Sequence, residues 1–138
     1  FIALYMVYGR AKKRIEERRK RLPPFDRAIQ ELQALEASEL NDQEAYKQYY
    51  SSLTAIVRSY LEEEANVNAL ESTTTELIQK LELLRTAGSL VLQNETISNL
   101  KKVLETADLV KFAKAAPGVG LASSDRSAIE SVVVQTNE

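Results

Sequence analysis

The chain has 138 residues, of which 44% are apolar and 28% charged, proportions typical of a single globular domain with an ordinary core. It contains neither His nor Cys. These absences exclude general-base catalysis by His, zinc sites built from His or Cys, and disulfide bonds.

The small net charge of -2 hides an asymmetry along the chain. Between Arg10 and Arg21 there are eight basic residues against two acidic ones, whereas residues 22–138 contain ten basic against eighteen acidic ones. Positive charge is therefore concentrated in one segment, and the rest of the chain is acidic.

The first nine residues, FIALYMVYG, are uncharged and are followed directly by the basic segment. They are too few to cross a bilayer, which takes about 20 residues. They suit the last turns of a span, because Tyr5 and Tyr8 would lie at the interface and a basic excess marks a cytoplasmic flank. We expect residues 1–9 to be the end of a transmembrane helix; the alternative is an amphipathic helix buried in the domain.

Residues 10–22 predict a basic helical stalk, supported by the i,i+4 pairs Glu16 with Lys20 and Glu17 with Arg21. A helix rises about 1.5 Å per residue, so only the start of the stalk would stay within a Debye length of anionic lipid. The lipid-flanking residues are therefore Arg10, Lys12, Lys13 and Arg14. A plain solvated helix and a nucleic-acid contact are the alternatives, and the second is disfavoured because no aromatic residues interleave with the basic ones.

Pro23 and Pro24 end the stalk, because neither can continue a helix, and they open a predicted domain over residues 23–115. Pro24 suits the first turn of a new helix. This helix is predicted to run to about Ala37 with a buried stripe made of Phe25, Ala28, Ile29, Leu32 and Leu35.

The longest helical pattern covers residues 42–66, has no Pro or Gly, and begins at Asn41 or Asp42 as the N-cap. Its apolar residues recur at helical spacing and predict a buried face composed of Tyr46, Tyr49, Tyr50, Leu53, Ile56, Val57, Tyr60 and Leu61. A partner would then meet the outer side, which includes Lys47, Arg58 and the acidic end Glu62, Glu63 and Glu64. Consecutive helix positions point in different directions, so a solvated face is the alternative for this acidic triplet.

Thr73 and Glu76 have the spacing of a capping box, which predicts a helix that ends near Gly88. Its inward residues are Leu77, Ile78, Leu81 and Leu84. A further helix is predicted over residues 95–107 with Asn94 as its cap. A turn or short helical extension follows at residues 108–112, where we expect Leu109, Val110 and Phe112 to be buried.

Residues 116–138 predict a flexible loop followed by a C-terminal helix that packs on the bundle. Ser124 or Asp125 is the predicted cap of this helix, and its inner face would consist of Ala128, Ile129, Val132 and Val133. A strand is the alternative for the three consecutive valines. The whole pattern predicts an all-α bundle of about five helices, preceded by the basic stalk.

Two stretches, RSYLEEEANVNALESTTTELIQKL at residues 58–81 and LKKVLETADLVKFAKAAP at residues 100–117, resemble the cytoplasmic C-terminal region of Bat (aerotolerance)-type bacterial membrane proteins. Related membrane proteins are encoded beside MoxR-type AAA+ ATPases and von Willebrand factor A-domain proteins. The order of segments matches along nearly the whole chain. Such proteins often have an aromatic-Gly pair where this chain has Asn66 and Val67.

The resemblance implies a non-catalytic adaptor domain without a cofactor, on the cytoplasmic side of the bacterial inner membrane. The implied partners are a MoxR-type ATPase, an A-domain protein and, at the N-terminal flank, membrane lipid. Candidate docking residues are Glu62, Glu63, Glu64, Asp108 and Lys111; for the last two, a local cap and turn pair is the alternative.

The alternative function is a helix-turn-helix-like nucleic-acid-binding domain, since two helix pairs are joined by short loops. The helix that begins at Thr73 would be its recognition helix. That helix offers only Gln79, Lys80 and Arg85 among acidic and apolar residues, which is little for a phosphate-binding surface. We therefore expect no nucleic acid among the partners.

Overall fold

The computed structural model describes residues 2–4, 6–10 and 22–137, and all regular structure within these ranges is helical. This confirms the prediction of an all-α fold. Residues 22–137 form a bundle of five α-helices, with a short 3-10 helix, Ala37–Glu39, between the first two. The helices are α1 (Pro24–Ala34), α2 (Gln43–Ala65), α3 (Thr74–Thr86), α4 (Asn94–Ala113) and α5 (Val119–Thr136).

Helix α2 lies at the centre of the bundle and packs against α1, α4 and α5. Its N-cap is Asp42, whose carboxylate accepts a hydrogen bond of 2.8 Å from the Ala45 N–H. All eight residues of its predicted apolar face are buried. The helical spacing therefore predicted both the element and the side that it buries.

Tyrosine hydroxyls on α2 hold α5 in register. Tyr49 donates to the Ala122 carbonyl at 2.9 Å, and Tyr60 donates to the Val133 carbonyl at 3.1 Å. Tyr50 donates to the Asp125 carboxylate at 2.6 Å. These buried bonds are spaced along both helices, so a shift of α5 along α2 would break them together.

The ends of α3 follow the predicted capping pattern. Thr73 accepts a 3.2 Å hydrogen bond from the Glu76 N–H at the start. At the end, Gly88 has φ +76° and the Ser89 N–H donates to the Leu84 carbonyl at 2.9 Å, as in a Schellman motif.

Four boundaries differ from the sequence-based prediction. Helix α1 ends at Ala34 rather than near Ala37, and α4 begins at Asn94 and continues to Ala113, so Asn94 is its first residue and not its cap. Helix α5 begins at Val119, after Gly118 with φ +102°, rather than at Ser124 or Asp125. Asp125 is not a cap because its carboxylate is buried within the helix and accepts the Tyr50 hydrogen bond across the core.

The chain enters the bundle at one end of α2, and α4 finishes at the other. Arg27, in the first turn of α1, donates to both carboxylate oxygens of Glu63 at 2.8 and 2.6 Å, near the C-terminus of α2. At the N-terminus of α2, the Gln43 amide donates to the Val110 carbonyl at 2.8 Å. The 23 residues of α2 thus separate the two ends by about 34 Å.

Residues 2–4 and 6–10 are helical and exposed, including the apolar side chains of Ile2, Leu4, Met6, Val7 and Tyr8. No helix in the described ranges has both the length and the apolarity needed to cross a membrane. Most of the predicted stalk, residues 11–21, lies outside the described residues.

The buried carboxyl of Asp125 predicts a pH-dependent stability. Burial raises its pKa above 3.8, and the Tyr50 hydrogen bond only partly opposes this effect. Between pH 3.8 and the folded pKa, the folded state therefore binds more protons than the unfolded state, and the free energy of unfolding falls as pH rises through this range.

We expect Asp125→Asn, which keeps an acceptor for Tyr50 but cannot ionise, to gain stability relative to the wild type as pH rises from 4 to 7. Urea unfolding at several pH values measures this difference. Glu130→Gln, at an exposed position of the same helix, is the control. A difference between Asp125→Asn and the wild type that stays constant across this range would contradict the prediction.

Candidate functional site

An open groove of about 590 Å³ lies beside α2, next to its buried apolar face, and Tyr50 of that face is among the lining residues. One wall is the outer side of α2, another is the second half of α4, and the third consists of the loop after α2 and the start of α3. The groove brings together Asp108 and Lys111, both predicted as docking residues, with Arg58 from α2.

The α2 wall includes small side chains, one of which is hydrogen-bonded within the helix. Its groove-lining residues include Ser51, Thr54 and Ala55. The Thr54 hydroxyl donates to the Ser51 carbonyl at 3.2 Å, so its hydrogen is already used within the helix. This wall therefore allows close approach of another chain without leaving that donor unpaired.

Arg58 holds the loop that forms the third wall. Its Nη1 donates to the carbonyls of Ala69 and Ser72, both at 2.6 Å. Burial lowers the pKa of Arg58 and the nearby Asp108 opposes this shift, but a guanidinium stays charged in proteins. The loop leaves α2 through Asn66 at φ +54°, a left-handed conformation that Asn tolerates better than most residues.

A second contact braces the same loop. Lys80, on α3, donates to the Ser72 hydroxyl at 3.0 Å, and that hydroxyl donates in turn to the Asn68 carbonyl. These two hydrogen bonds brace the loop, which makes it a fixed wall of the groove.

Asp108 links the α4 wall to the start of α3. Its carboxylate accepts a hydrogen bond of 3.0 Å from the Thr74 hydroxyl. A carboxylate near a helix N-terminus is also favoured by the helix dipole. Asp108 thus lies within α4 and contacts α3, rather than forming a local cap and turn pair with Lys111.

Apolar side chains are exposed at two sides of the groove. Phe112 on α4 is 75% exposed and Leu70 in the loop is 51% exposed. The Lys111 ammonium lies 5.3 Å from the centre of the Phe112 ring, within cation-π range. The groove therefore presents an apolar surface with a positive charge beside it.

The expected burial of residues 109, 110 and 112 is wrong for two of the three. Val110 is buried, whereas Leu109 and Phe112 are exposed. Because α4 continues through this segment, the inward stripe of Leu104 and Ala107 extends to Val110, and the other two face outward. Extending the 3.6-residue period beyond Ala107 would have identified both exposed positions.

The acidic triplet at the end of α2 does not converge. Glu63 binds Arg27 of α1, Glu62 lies 3.5 Å from the Leu70 N–H, and Glu64 is exposed. In the part of the chain that the structure describes, no three His, Cys, Asp or Glu side chains lie close enough to share a metal ion. The three carboxylates thus face three different surroundings, which are helix α1, the loop and solvent.

Of the predicted membrane flank, the structure describes Arg10 alone, at the end of an exposed helical segment. Lys12, Lys13 and Arg14 lie outside the described residues. The roles of Arg58, which was expected on the outer side of α2, and of Leu70 were not predicted from the sequence. The available signal for Leu70 was a third apolar residue in a short loop whose other two, Val67 and Ala69, are buried.

A second groove, of about 630 Å³, lies between α4 and α5 and includes Leu109 and Leu121. Two of its serines, Ser127 and Ser131, donate to carbonyls of their own helix at 3.3 and 3.2 Å. The groove beside α2 differs from it by combining an exposed aromatic ring with a rigid loop wall.

No protein-family model matches the chain, and comparisons with curated proteins and with solved structures find no match either. A role for the groove therefore rests on its own chemistry and on the resemblance of residues 58–81 and 100–117 described above.

We expect Arg58→Met, which keeps the length of the side chain but removes both loop hydrogen bonds, to lower the free energy of unfolding by about 2–3 kcal/mol. Hydrogen exchange at residues 67–72 should accelerate more than exchange in the α2 core, because the clamp acts on the loop. Denaturant unfolding and amide exchange measure the two effects.

Lys47→Met is the matched control, since it removes an exposed cation from the same helix and should change stability by no more than about 0.5 kcal/mol. Equal effects of the two substitutions would show that Arg58 does not hold the loop.

Proposed function

We propose that this chain is a non-catalytic protein-interaction domain of a bacterial membrane protein, on the cytoplasmic side of the inner membrane. The observation that carries the proposal is the groove beside α2, with Phe112 and Leu70 exposed at its sides. Exposed aromatic and aliphatic side chains grouped around a concave surface are typical of protein-binding sites.

The rigidity of the groove also favours this function. Two of its walls are helices packed on the core, and the third is held by the hydrogen bonds of Arg58 and Lys80. A surface that is already ordered loses little conformational entropy when a partner binds. The domain is therefore suited to dock another protein without rearranging.

The proposed membrane attachment is supported by the N-terminal residues. Residues 2–4 and 6–10 are helical, and their apolar side chains are exposed rather than packed on the bundle. Such a segment needs lipid or another protein around it, and the basic run from Arg10 fits a cytoplasmic flank. Phe112 lies toward the end of α2 away from the entry of the chain, which would leave it accessible to a partner.

The resemblance to Bat-type proteins supplies candidate partners, a MoxR-type ATPase and a von Willebrand factor A-domain protein. The helix-turn-helix alternative is weaker, because Lys80 of the would-be recognition helix is engaged by Ser72 and Arg85 is half-buried. Residues 22–138 also carry an acidic excess, which would repel a phosphate backbone.

We expect a tagged full-length protein to co-purify with a MoxR-type ATPase or an A-domain protein. Phe112→Ala should reduce recovery about fivefold or more, because aromatic side chains contribute strongly at interfaces. Leu83→Ala, at another exposed apolar position, should leave recovery unchanged. Quantitative mass spectrometry of the purified complexes measures this, and recovery of neither partner would remove the main support for the adaptor function.

We expect reversal of Arg10, Lys12, Lys13 and Arg14 to Glu to disturb membrane topology but not folding, because orientation follows the basic residues that flank a span. Residues 1–138 contain no Cys, so Ser52→Cys on the exposed side of α2 places one labelling site in them, which can be probed from either side of the membrane. Reversal of Lys101 and Lys102 is the control. Unchanged labelling of the four-residue variant would contradict the proposed attachment.

A further inference from the structure

The shape of the groove suits a short helix. The stretches of α2 and α4 that line it, residues 50–58 and 104–112, each extend about 12 Å along their helix axes. This is the length of slightly more than two helical turns. An extended peptide of the same length would have few backbone partners, since the two long walls are helices whose backbone groups are already bonded.

The side chains of the groove define the apolar face of its occupant. Leu70 in the loop and Phe112 on α4 lie on different walls and are both largely exposed. Ser51, Thr54 and Ala55 between them are small, so bulky side chains of an incoming helix can approach α2 closely. An amphipathic helix with aliphatic residues at i, i+3, i+4 and i+7 matches this arrangement.

The charges define the polar part of the occupant. Two cations, Arg58 and Lys111, line the groove, and the one lining carboxylate, Asp108, already accepts a hydrogen bond from Thr74. The loop carbonyls are bound by Arg58 Nη1 alone, which leaves its Nε and Nη2 donors outside this clamp. Two cations against one carboxylate give the lining a net charge of +1, within a segment that has ten basic against eighteen acidic residues.

We infer that the groove binds an acidic amphipathic helix of a protein partner, with aliphatic side chains against Phe112 and Leu70 and carboxylates toward Lys111 and Arg58. This inference rests on the proposed interaction function and specifies the chemistry of the partner.

Nucleic acid is a poorer occupant of this groove. Its affinity for proteins depends on many cations that contact successive phosphates. Here two cations lie in the groove, and the surrounding domain is acidic. A peptide needs fewer cations than nucleic acid, because each of its carboxylates pairs with one cation. The apolar walls supply the rest of the binding free energy.

The test uses the full chain, labelled with ¹⁵N, and two synthetic helical peptides of about 14 residues. Both peptides carry Leu at i, i+3, i+4 and i+7; one has Glu and the other Lys at the remaining charged positions. The Glu peptide should shift the amide resonances of Thr54, Arg58, Leu70 and Lys111 at concentrations below about 1 mM. The Lys peptide should not shift them in the same range.

Two matched pairs of variants locate the contact. Lys111→Glu and Phe112→Ala should each weaken binding of the Glu peptide about fivefold or more. Lys101→Glu and Leu109→Ala, at exposed positions of the same helix outside this groove, should change it less than about twofold. Equal weakening by a variant and its control would overturn the assignment of the contact to this groove.

Other outcomes also overturn the inference. These are binding of both peptides alike, shifts confined to other residues, or no shift with either peptide. Duplex DNA, anionic vesicles and a raised concentration of the chain alone are separate arms of the titration. Perturbation of the groove residues by any of these at lower concentration than by the Glu peptide would assign the groove to that occupant instead.

The experiments distinguish a failure of this inference from a failure of the proposed function. Recovery of the ATPase or the A-domain protein by wild type and Phe112→Ala alike would retain an interaction domain and reject this groove as its binding site. Selective binding of the Glu peptide without recovery of either protein would retain the groove and reject those two partners.

Discussion

The buried face of α2 is the constraint on which the rest of the bundle depends. Its apolar residues contact three other helices, and tyrosine hydroxyls at both ends of this face bond to α5. Burial raises the pKa of Tyr50, so its hydroxyl remains a donor for Asp125 at any physiological pH. With one side of α2 committed to the core in this way, the adjoining exposed side is left to form a wall of the groove.

The groove exists because the loop of residues 66–73 is held against that exposed side. A loop carries carbonyl groups that need partners, and Arg58 supplies them from α2 while Lys80 braces the Ser72 side chain from α3. The same clamp that satisfies the loop also positions Leu70 across from α4. The stability of the loop and the position of Leu70 in the groove therefore both depend on the Arg58 guanidinium.

Sequence patterns predicted the parts of this fold that depend on local physics. The period of α2, the Asp42 cap, and the cap and Schellman ends of α3 are all set by neighbouring residues along the chain. Asp125 has the residue type and position of an N-cap, yet a tyrosine 75 positions earlier in the chain binds it in the core. Arg58 looked like a surface cation for the same reason, since the loop carbonyls that bind it appear only in the folded chain. The outward direction of Phe112 was available from the period of α4 and was missed because the helix was expected to end at Ala107.

The uninterrupted length of α2 has a consequence for how this domain tolerates insertions and deletions. Each residue of a helix turns the following ones by about 100°, so one inserted residue between Tyr50 and Tyr60 would rotate half of the buried face out of the core. It would also rotate Arg58 away from Ala69 and Ser72. Seven inserted residues nearly restore the angular phase but lengthen the helix by about 10 Å. An insertion in α2 thus changes both the rotation and the separation of the groove and α1. The groove keeps its direction relative to α1 only when the angular phase of α2 is preserved.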